Sequence, residues 1–525
     1  MKNTRRDFVK TTGFGALSFG LLPNLFPFNN GTTFLNQSLP RRSPESQGVP
    51  SKGILDFVNA VNASGIEWHS FMLLRHGNVI AEGWWKPFEP GFIHSLRSLS
   101  KSFTSTAIGF LVDEGKLSVE DQVISFFKDE LPENPSDNLK AMKVKHLLTM
   151  NTGNDKAYNQ NPNIYSWTKY FLENPVPHPP GTHFLYNNLA TYMLGAIVHR
   201  LTGQRLDSFL APRLFQPLGI KDYDWTTTPQ GLNAASGGLR VKTEDIAKLG
   251  QLYLQKGKWK GQQILSEKWI EEATRKQTDN SNHSKTPDNI QGYGYQFWRS
   301  QPKGIYRGEG AYGQFCIVMP EQDVVLAATT QSWESQKSLT LIWETLLPIF
   351  TNKPLTENPT DTSALKNALN RLKLPVPKSS IQSSLSNRYH NQRFTMDKNP
   401  YGVIETLFLF SKQECTAVFL TDEGEVKLKF GWENWLLSKG LQNNLFPTAN
   451  LTDKPSKIAG TATWLNDNTL RLTTKFVEVL SGDTYTCLFE DNKVTIAFLS
   501  NLSENVKTAP ETRKPLIGNL MKPGN

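Results

Sequence analysis

Ser98-Leu99-Ser100-Lys101, followed by Ser102-Phe103-Thr104-Ser105-Thr106-Ala107-Ile108-Gly109-Phe110-Leu111, sets a hydroxyl and an amine three residues apart at the head of an apolar run. On an α-helix that spacing stacks the two side chains on one face, one turn apart. Phe103, Ala107, Ile108, Phe110 and Leu111 recur at helical intervals, which predicts a core-embedded helix. Ser98 falls in its first turn, where free backbone N–H groups and the positive dipole end favour a developing negative charge. Lys101 is drawn into a poorly solvated position, where burial disfavours the ammonium and makes a proton acceptor of the amine. This reads as a nucleophilic serine activated by a neighbouring lysine. The same spacing recurs at Ser363-Ala364-Leu365-Lys366, in a polar stretch with no apolar run behind it, so context must give the pattern its meaning.

Upstream, residues 69–75 and 79–85 are β-rich runs around His76-Gly77-Asn78, the signature of a hairpin. Downstream, residues 189–201 form an amphipathic helical pattern closed by Thr202-Gly203, and residues 206–214 and 243–254 continue the helical character. From Tyr293 the chain turns to strands, at residues 293–298, 305–309, 315–319 and 324–329, before a closing helix at 339–350. Strands and helix, then a helical block, then strands and helix predict an α/β (α+β) domain over residues 40–350. It is an antiparallel sheet flanked by helices, with a helical domain inserted between its first and last strands. Residues 351–382 read as a linker, rich in Thr, Asn, Pro and Ser. Val426, Leu428 and Phe430 then alternate with Lys427 and Lys429, and residues 469–473 and 494–498 alternate likewise. Residues 383–505 are therefore expected to be a separate antiparallel β domain, sandwich or barrel, with residues 506–525 as a C-terminal tail.

With 525 residues, 38% hydrophobic and 20% charged, the chain is long enough for two or more globular domains. Its formal net charge is +9, but no Lys/Arg block stands out beyond the N-terminus, which argues against a nucleic-acid partner. Cys316, Cys415 and Cys487 are too few for a disulfide framework and lack zinc-ligand spacing. Cys415 and Cys487 have the option of pairing, but three small buried apolar side chains is the preferred reading. With no metal cluster and no nucleotide-binding glycine loop, no metal and no cofactor is expected.

At the N-terminus, Thr4-Arg5-Arg6-Asp7-Phe8-Val9-Lys10 resembles a twin-arginine export signal. The apolar run behind it, residues 13–28, is broken by Pro23 and Pro27 and is too short to span a bilayer comfortably. Residues 1–30 are read as a bacterial targeting segment outside the fold. That resemblance implies a periplasmic or secreted protein with no integral membrane segment after signal removal. The alternative is a disordered basic tail. The sequence leaves the oligomeric state open.

Two further segments complete a constellation. Tyr186-Asn187-Asn188 follows a Pro-Gly break at Pro180-Gly181. A phenol beside a neutral lysine can relay the serine's proton to a leaving group, and an amide can hold lysine and substrate. This spacing too recurs, at Tyr389-His390-Asn391. Gly308-Glu309-Gly310-Ala311-Tyr312-Gly313-Gln314 precedes a strand, and its glycines let the backbone approach a substrate closely. The backbone N–H of Ala311 is the candidate to join that of Ser98 in an oxyanion hole.

In this order the motifs resemble the serine β-lactamase and penicillin-binding-protein superfamily, in its class C-like esterase and amidase branch. Leu147-Leu148-Thr149-Met150-Asn151-Thr152-Gly153 resembles a segment of that family, and Ala235-Ser236-Gly237-Gly238-Leu239 its small-residue turn. The resemblance covers roughly residues 45–350. It implies an acyl-enzyme mechanism on a small-molecule ester or amide, with Ser98 as nucleophile and Lys101 as its base or proton-sharing partner. Tyr186 is then the acid/base shuttle and Asn188 a positioning group. Gly308, Glu309, Gly310 and Tyr312 are candidate substrate contacts.

One departure bears on the substrate. Gly308 stands where β-lactam-recognising members carry a carboxylate-binding lysine, which argues against efficient β-lactam hydrolysis unless the adjacent Arg307 substitutes. Glu309 is either a solvated strand residue or a partner for a substrate amine. Tyr293, Tyr295, Trp298 and Tyr312 either wall a hydrophobic pocket or pack a sheet core. The alternatives to an exported ester or amide hydrolase are a β-lactamase, D,D-carboxypeptidase or D-aminopeptidase, and a catalytically silent binding or scaffold protein.

Overall fold

The computed structural model describes residues 38–157, 164, 166–377, 383–439, 457–505 and 510–521; the export segment expected over residues 1–30 lies outside them. Helix α1 (Ser51–Ala63) leads into strands β1 (Glu67–Arg75) and β2 (Asn78–Trp84). His76 and Gly77 join the two strands at φ of 49° and 73°, the paired left-handed conformation of a two-residue hairpin turn. Strands β3 (Trp298–Arg299), β4 (Tyr306–Gly310), β5 (Gln314–Met319) and β6 (Val324–Gln331) complete an antiparallel sheet in the order β2-β1-β6-β5-β4-β3. The first hairpin thus pairs directly with the last strand, from Glu67 opposite Gln331 to Arg75 opposite Val324. That pairing makes the helical block between them an insertion, as the order of elements predicts.

Strand β1 is buried on both faces. Phe71 and Leu73 enter one core, and Met72 and Leu74 the other. Strand β6 divides in the same way, with Val324, Leu326 and Ala328 opposed to Val325 and Ala327. The first core is closed by α1 through Ile54, Phe57 and Val58. The second is closed by α2 (Ser100–Asp113), α3 (Asn188–Thr202) and α4 (Thr243–Leu254).

Helix α2 is enclosed on all sides, with every residue from Ser100 to Leu111 buried. Three of its hydroxyls find partners in other segments. Ser102 Oγ donates to the Gln296 carbonyl (3.1 Å), Thr104 Oγ1 to the Ala235 carbonyl (2.9 Å), and Thr106 Oγ1 meets the Tyr253 hydroxyl (2.8 Å). Such bonds count at this depth, because an orphaned buried hydroxyl costs about 1–3 kcal/mol; Ser105 Oγ is buried without a hydrogen bond.

Residues 351–382 hold more than a linker. Helix α5 (Pro359–Asn370) begins at Asn358, whose side chain accepts the N–H groups of Thr360 and Asp361, and has proline at its first position. Leu365 on this helix, with Leu372 and Leu374 beyond it, buries into the same core as α1. A polar composition concealed a helix with one apolar stripe.

The C-terminal β domain is a barrel. Its strands are β7 (Arg393–Met396), β8 (Val403–Phe410), β9 (Glu414–Thr421), β10 (Gly424–Gly431), β11 (Leu436–Lys439), β12 (Lys457–Asn466), β13 (Thr469–Phe476), β14 (Asp483–Glu490), β15 (Lys493–Ser500) and β16 (Leu516–Leu520). Among the described residues the ring runs β10-β9-β8-β7-β16-β15-β14-β13-β12 and closes from β12 to β10, with β11 on β12. A ring with an odd number of strands cannot alternate throughout, and the closing pair, Gly431 opposite Thr461, is parallel. Strand β16 lies in the segment expected to be a tail. Leu516 is buried, and the strand pairs with both β7 and β15, filling the gap in the ring. Val426, Leu428 and Phe430 point inward, while Lys427 and Lys429 face solvent. All three cysteines are buried and unpaired.

Candidate active site

Ser98 lies in a 3-10 turn (Arg97–Leu99) that runs into α2. Arg97, just before it, has φ of 50°, a left-handed conformation that costs a non-glycine residue about 1–2 kcal/mol. Four other non-glycine residues near the site share this region: Met150 (59°), Ala235 (59°), Gln296 (66°) and Tyr312 (70°). Five strained residues around one cluster fit a functional region, although others occupy ordinary turns elsewhere in the chain.

Lys101 follows one helical turn after Ser98 and is only 1% exposed. Its Nζ donates to Ser98 Oγ (3.1 Å), Asn188 Oδ1 (2.8 Å) and the Ser236 carbonyl (2.7 Å). Burial pushes its pKa down to about 7. Asn188 arrives here because Asn187 caps α3, its side chain accepting the Leu189 N–H, which makes Asn188 the first helical residue. The turn at Ala235 aims the Ser236 carbonyl at the amine.

Tyr186 stands in the extended segment before that cap. Its ring stacks on Trp298 (5.4 Å, 22°) and lies 4.9 Å below Lys101 Nζ. Its hydroxyl interacts with that of Ser98. Burial pushes the phenol well above its usual range, the Ser98 hydrogen bond opposes this, and the Glu309 charge adds to it. Four predicted residues, Ser98, Lys101, Tyr186 and Asn188, are therefore brought into one cluster from two separate segments.

Strand β4 flanks that cluster. A Cβ added at Gly308 would lie 2.3 Å from Leu99 Cδ1 and 2.7 Å from Ser102 Oγ; one at Gly310 would lie 2.1 Å from the Leu96 carbonyl. These glycines permit close approach, but to the turn that carries Ser98. That contact brings Ala311, in the turn after β4, beside the same segment. Tyr312 packs edge-on against Trp333 (5.0 Å), with the Arg97 guanidinium 5.9 Å from its ring.

Arg307 does not stand in for the missing lysine. It is fully buried, and its donors are engaged by the Asp288 and Arg299 carbonyls, Ser300 Oγ, Asn289 Oδ1 and Glu309 Oε2. Glu309 is not a solvated strand residue either, since its side chain is 11% exposed and paired with Arg307 at 2.7 Å. The aromatic group divides. Tyr293 and Trp298 lie beside Tyr186, joined by His283, whereas Tyr295 packs on Trp269 (5.5 Å) in the core.

The C-terminal barrel reaches this region through a buried polar chain. Lys475 Nζ on β13 donates to Glu67 Oε2 (2.8 Å), and Glu67 Oε1 meets His69 Nε2 (3.0 Å). His69 Nδ1 meets His94 Nε2 (2.9 Å), and His94 Nδ1 meets the Ser95 carbonyl (3.0 Å). The Ser95 N–H in turn donates to the Glu478 carbonyl (3.1 Å). Burial would raise the Glu67 carboxyl, but Lys475 and His69 outweigh it and hold the group at about 2.

A family model described as Beta-lactamase matches residues 59–347, more than half of the chain. The chain belongs to the Beta-lactamase family. It is 27% identical over 287 residues to the 6-aminohexanoate-dimer hydrolase of Paenarthrobacter ureafaciens, covering 50% of this chain and 72% of that one. Among solved structures it is similar to a penicillin-binding protein homologue from Caulobacter crescentus (TM-score 0.47, 17% identity, 58% of this chain and 97% of that one). It is also similar to the octameric penicillin-binding protein homologue from Pyrococcus abyssi (TM-score 0.47, 16% identity, 89% of this chain and 99% of that one).

The sequence reading missed three participants. It singled out the turn at 235–239 but assigned no role to the Ser236 carbonyl, although Gly237-Gly238 marks a turn. Neither Arg97 nor His283 carries a local signal. Among the described residues no group of His, Cys, Asp and Glu is arranged to hold a metal ion, and no helix is long and apolar enough to cross a membrane.

Proposed function

We propose that this β-lactamase-related hydrolase cleaves a small-molecule ester or amide through an acyl-enzyme on Ser98, with Lys101 and Tyr186 as its acid–base pair. The observation that carries the proposal is the set of partners around Lys101 Nζ. A neutral amine has two protons and one lone pair. Asn188 Oδ1 and the Ser236 carbonyl only accept, so they take the protons and leave the lone pair for the Ser98 hydroxyl. As Ser98 Oγ bonds to the carbonyl carbon, its proton passes to Lys101, which then donates to three acceptors. The backbone N–H groups of Ser98 and Ala311 hold the oxyanion. Tyr186 remains protonated at neutral pH and gives its proton to the departing oxygen or nitrogen; Lys101 then reprotonates it. Water repeats the attack on the acyl group, and the acid leaves.

Gly308, with no room for a longer side chain, and the fully engaged Arg307 leave β4 without a cation for a β-lactam carboxylate. This favours an ester or amide over a β-lactam or D,D-peptide. Convergence of all four polar side chains argues against a silent scaffold. Export rests on Arg5-Arg6 and is tested by fractionating cells that express an Arg5→Lys, Arg6→Lys double variant, which is expected to stay inside.

The experiment compares p-nitrophenyl butyrate with nitrocefin, using wild type and Ser98→Ala. Ester cleavage and fluorophosphonate labelling are expected in wild type, falling about 10³-fold or more in Ser98→Ala, with little nitrocefin turnover. Ester cleavage that survives in Ser98→Ala refutes the assignment, and rapid Ser98-dependent nitrocefin turnover transfers it to a β-lactamase.

A further inference from the structure

We propose that Glu309 makes this site select substrates whose leaving group carries a protonated amine. This rests on the reading of Ser98 as nucleophile and names a substrate class for it.

Glu309 is one residue past Gly308, which abuts the Ser98 helix, and two before Ala311. Two residues of strand span roughly 6–7 Å, so its backbone lies within a small substrate's length of the oxyanion position. Oε2 is held by Arg307 Nε at 2.7 Å. Among the described residues Oε1 accepts no hydrogen bond from the protein. Its partner Arg307 stands 5.9 Å from the ring of Trp298, which stacks on Tyr186, so the pair lies on the Tyr186 side, where the leaving group takes its proton; burial raises the Tyr186 and Tyr293 phenols, and the Glu309 charge adds to it.

The charges around it do not cancel. Arg307 faces two carboxylates, Glu309 and Asp288, the latter at 4.0 Å. Asp288 is satisfied by neutral donors: the Gln301 N–H (2.8 Å), Gln336 Nε2 (2.7 Å) and Trp343 Nε1 (3.0 Å). One guanidinium between two carboxylates leaves one net negative charge, open to the site only through Oε1. A neutral leaving group leaves that charge partly desolvated, and a carboxylate is repelled by it. An ammonium supplies both the missing hydrogen bond and the missing charge. Arg97 lies on the Tyr312 side of the site, and Lys101 is already held by Ser98, Asn188 and the Ser236 carbonyl.

The test uses three butyrate esters that differ in the leaving phenol: 4-(aminomethyl)phenyl, 4-ethylphenyl and 4-(carboxymethyl)phenyl. Values of kcat/KM are measured at neutral pH for wild type, Glu309→Gln and Glu309→Lys. Wild type is expected to prefer the aminomethyl ester over the ethyl ester by about tenfold or more, chiefly through KM. Glu309→Gln should level that ratio, and Glu309→Lys should turn the preference towards the carboxymethyl ester. Ratios within one preparation do not depend on the folded fraction, so a variant with a weakened Arg307 site still reports. A wild-type ratio near one, or a preference that survives Glu309→Gln, overturns the proposal. Calorimetric titration of 4-(aminomethyl)phenol and 4-ethylphenol into Ser98→Ala protein reads binding without turnover. Glu309-dependent amine binding without any turnover would refute the nucleophile reading alone. Turnover without amine preference would refute this inference alone, and neither binding nor turnover would refute both.

Discussion

Ser98 with Lys101 and Ser363 with Lys366 share one spacing, and each lysine sits on a helix, yet the two pairs have opposite surroundings. Helix α2 is enclosed on every side, and Lys101 meets three acceptors drawn from three places in the chain. Helix α5 lies on the surface, with only Leu365 buried and Ser363 and Lys366 exposed. The tyrosine motif repeats the contrast. Tyr186 faces the reactive pair, whereas Tyr389 stacks on Phe489 (4.9 Å) and donates to the Asp491 carbonyl (2.8 Å) in the barrel. Spacing decides which side chains are neighbours. Desolvation decides whether one of them can take a proton.

The sharpest way to break this comparison is to truncate both lysines. Lys101→Ala is expected to lower kcat about 10²–10⁴-fold, while Lys366→Ala leaves the rate unchanged. The wild-type pH profile belongs to the same test. Burial lowers the Lys101 pKa to about 7, and the neutral amine is the active form. Activity should therefore rise with pH through about 7 and fall away on the acid side. A kcat/KM profile that stays flat from weakly acidic to weakly alkaline pH would refute Lys101 as base.

A smaller effect is expected from the phenols. Tyr186→Phe retains the stacking on Trp298 but loses the proton donor, and kcat should fall about 10²-fold. Tyr389→Phe loses one hydrogen bond in the barrel, about 1 kcal/mol in a denaturant melt, with no change in rate. Equal rate losses in both variants would remove the distinction between them.

The smallest effect concerns what reaches the Ser98 turn from the barrel. Lys475→Ala leaves Glu67 with His69 alone and should cost about 1–2 kcal/mol of stability, since the pair is mostly but not wholly buried. It should change kcat by no more than a few-fold. Melting curves and initial rates measured on one preparation check both numbers, and a large loss of rate at unchanged stability would give the barrel a greater part in the chemistry.

Local patterns made much of this legible. Periodicity marked α2, α3 and α4; His76-Gly77 marked the hairpin; and alternation marked β10, β13 and β15. Each rests on neighbours a few residues apart. Helix α5 and strand β16 escaped because their signals are weak, one apolar stripe in a polar segment and five residues that complete a ring begun more than a hundred residues earlier. Arg307 was legible as a cation but not as a buried one, because its acceptors come from residues 288, 289, 299, 300 and 309.

The sequence alone determined the order of the chemical groups, the helix that carries Lys101 just after Ser98, the insertion of a helical block into one sheet, and the β character of the C-terminal domain. The tertiary structure decided which Ser-x-x-Lys pair is enclosed, that the Ser236 carbonyl completes the lysine's partners, and that Glu309 pairs with a buried Arg307. It also decided that the β domain closes as a barrel. The reason is the range of the forces. Helix and strand patterns are set by residues within a turn or two. The Lys101 pKa depends on atoms brought in from 87 and 135 residues away, and only the folded chain puts them there.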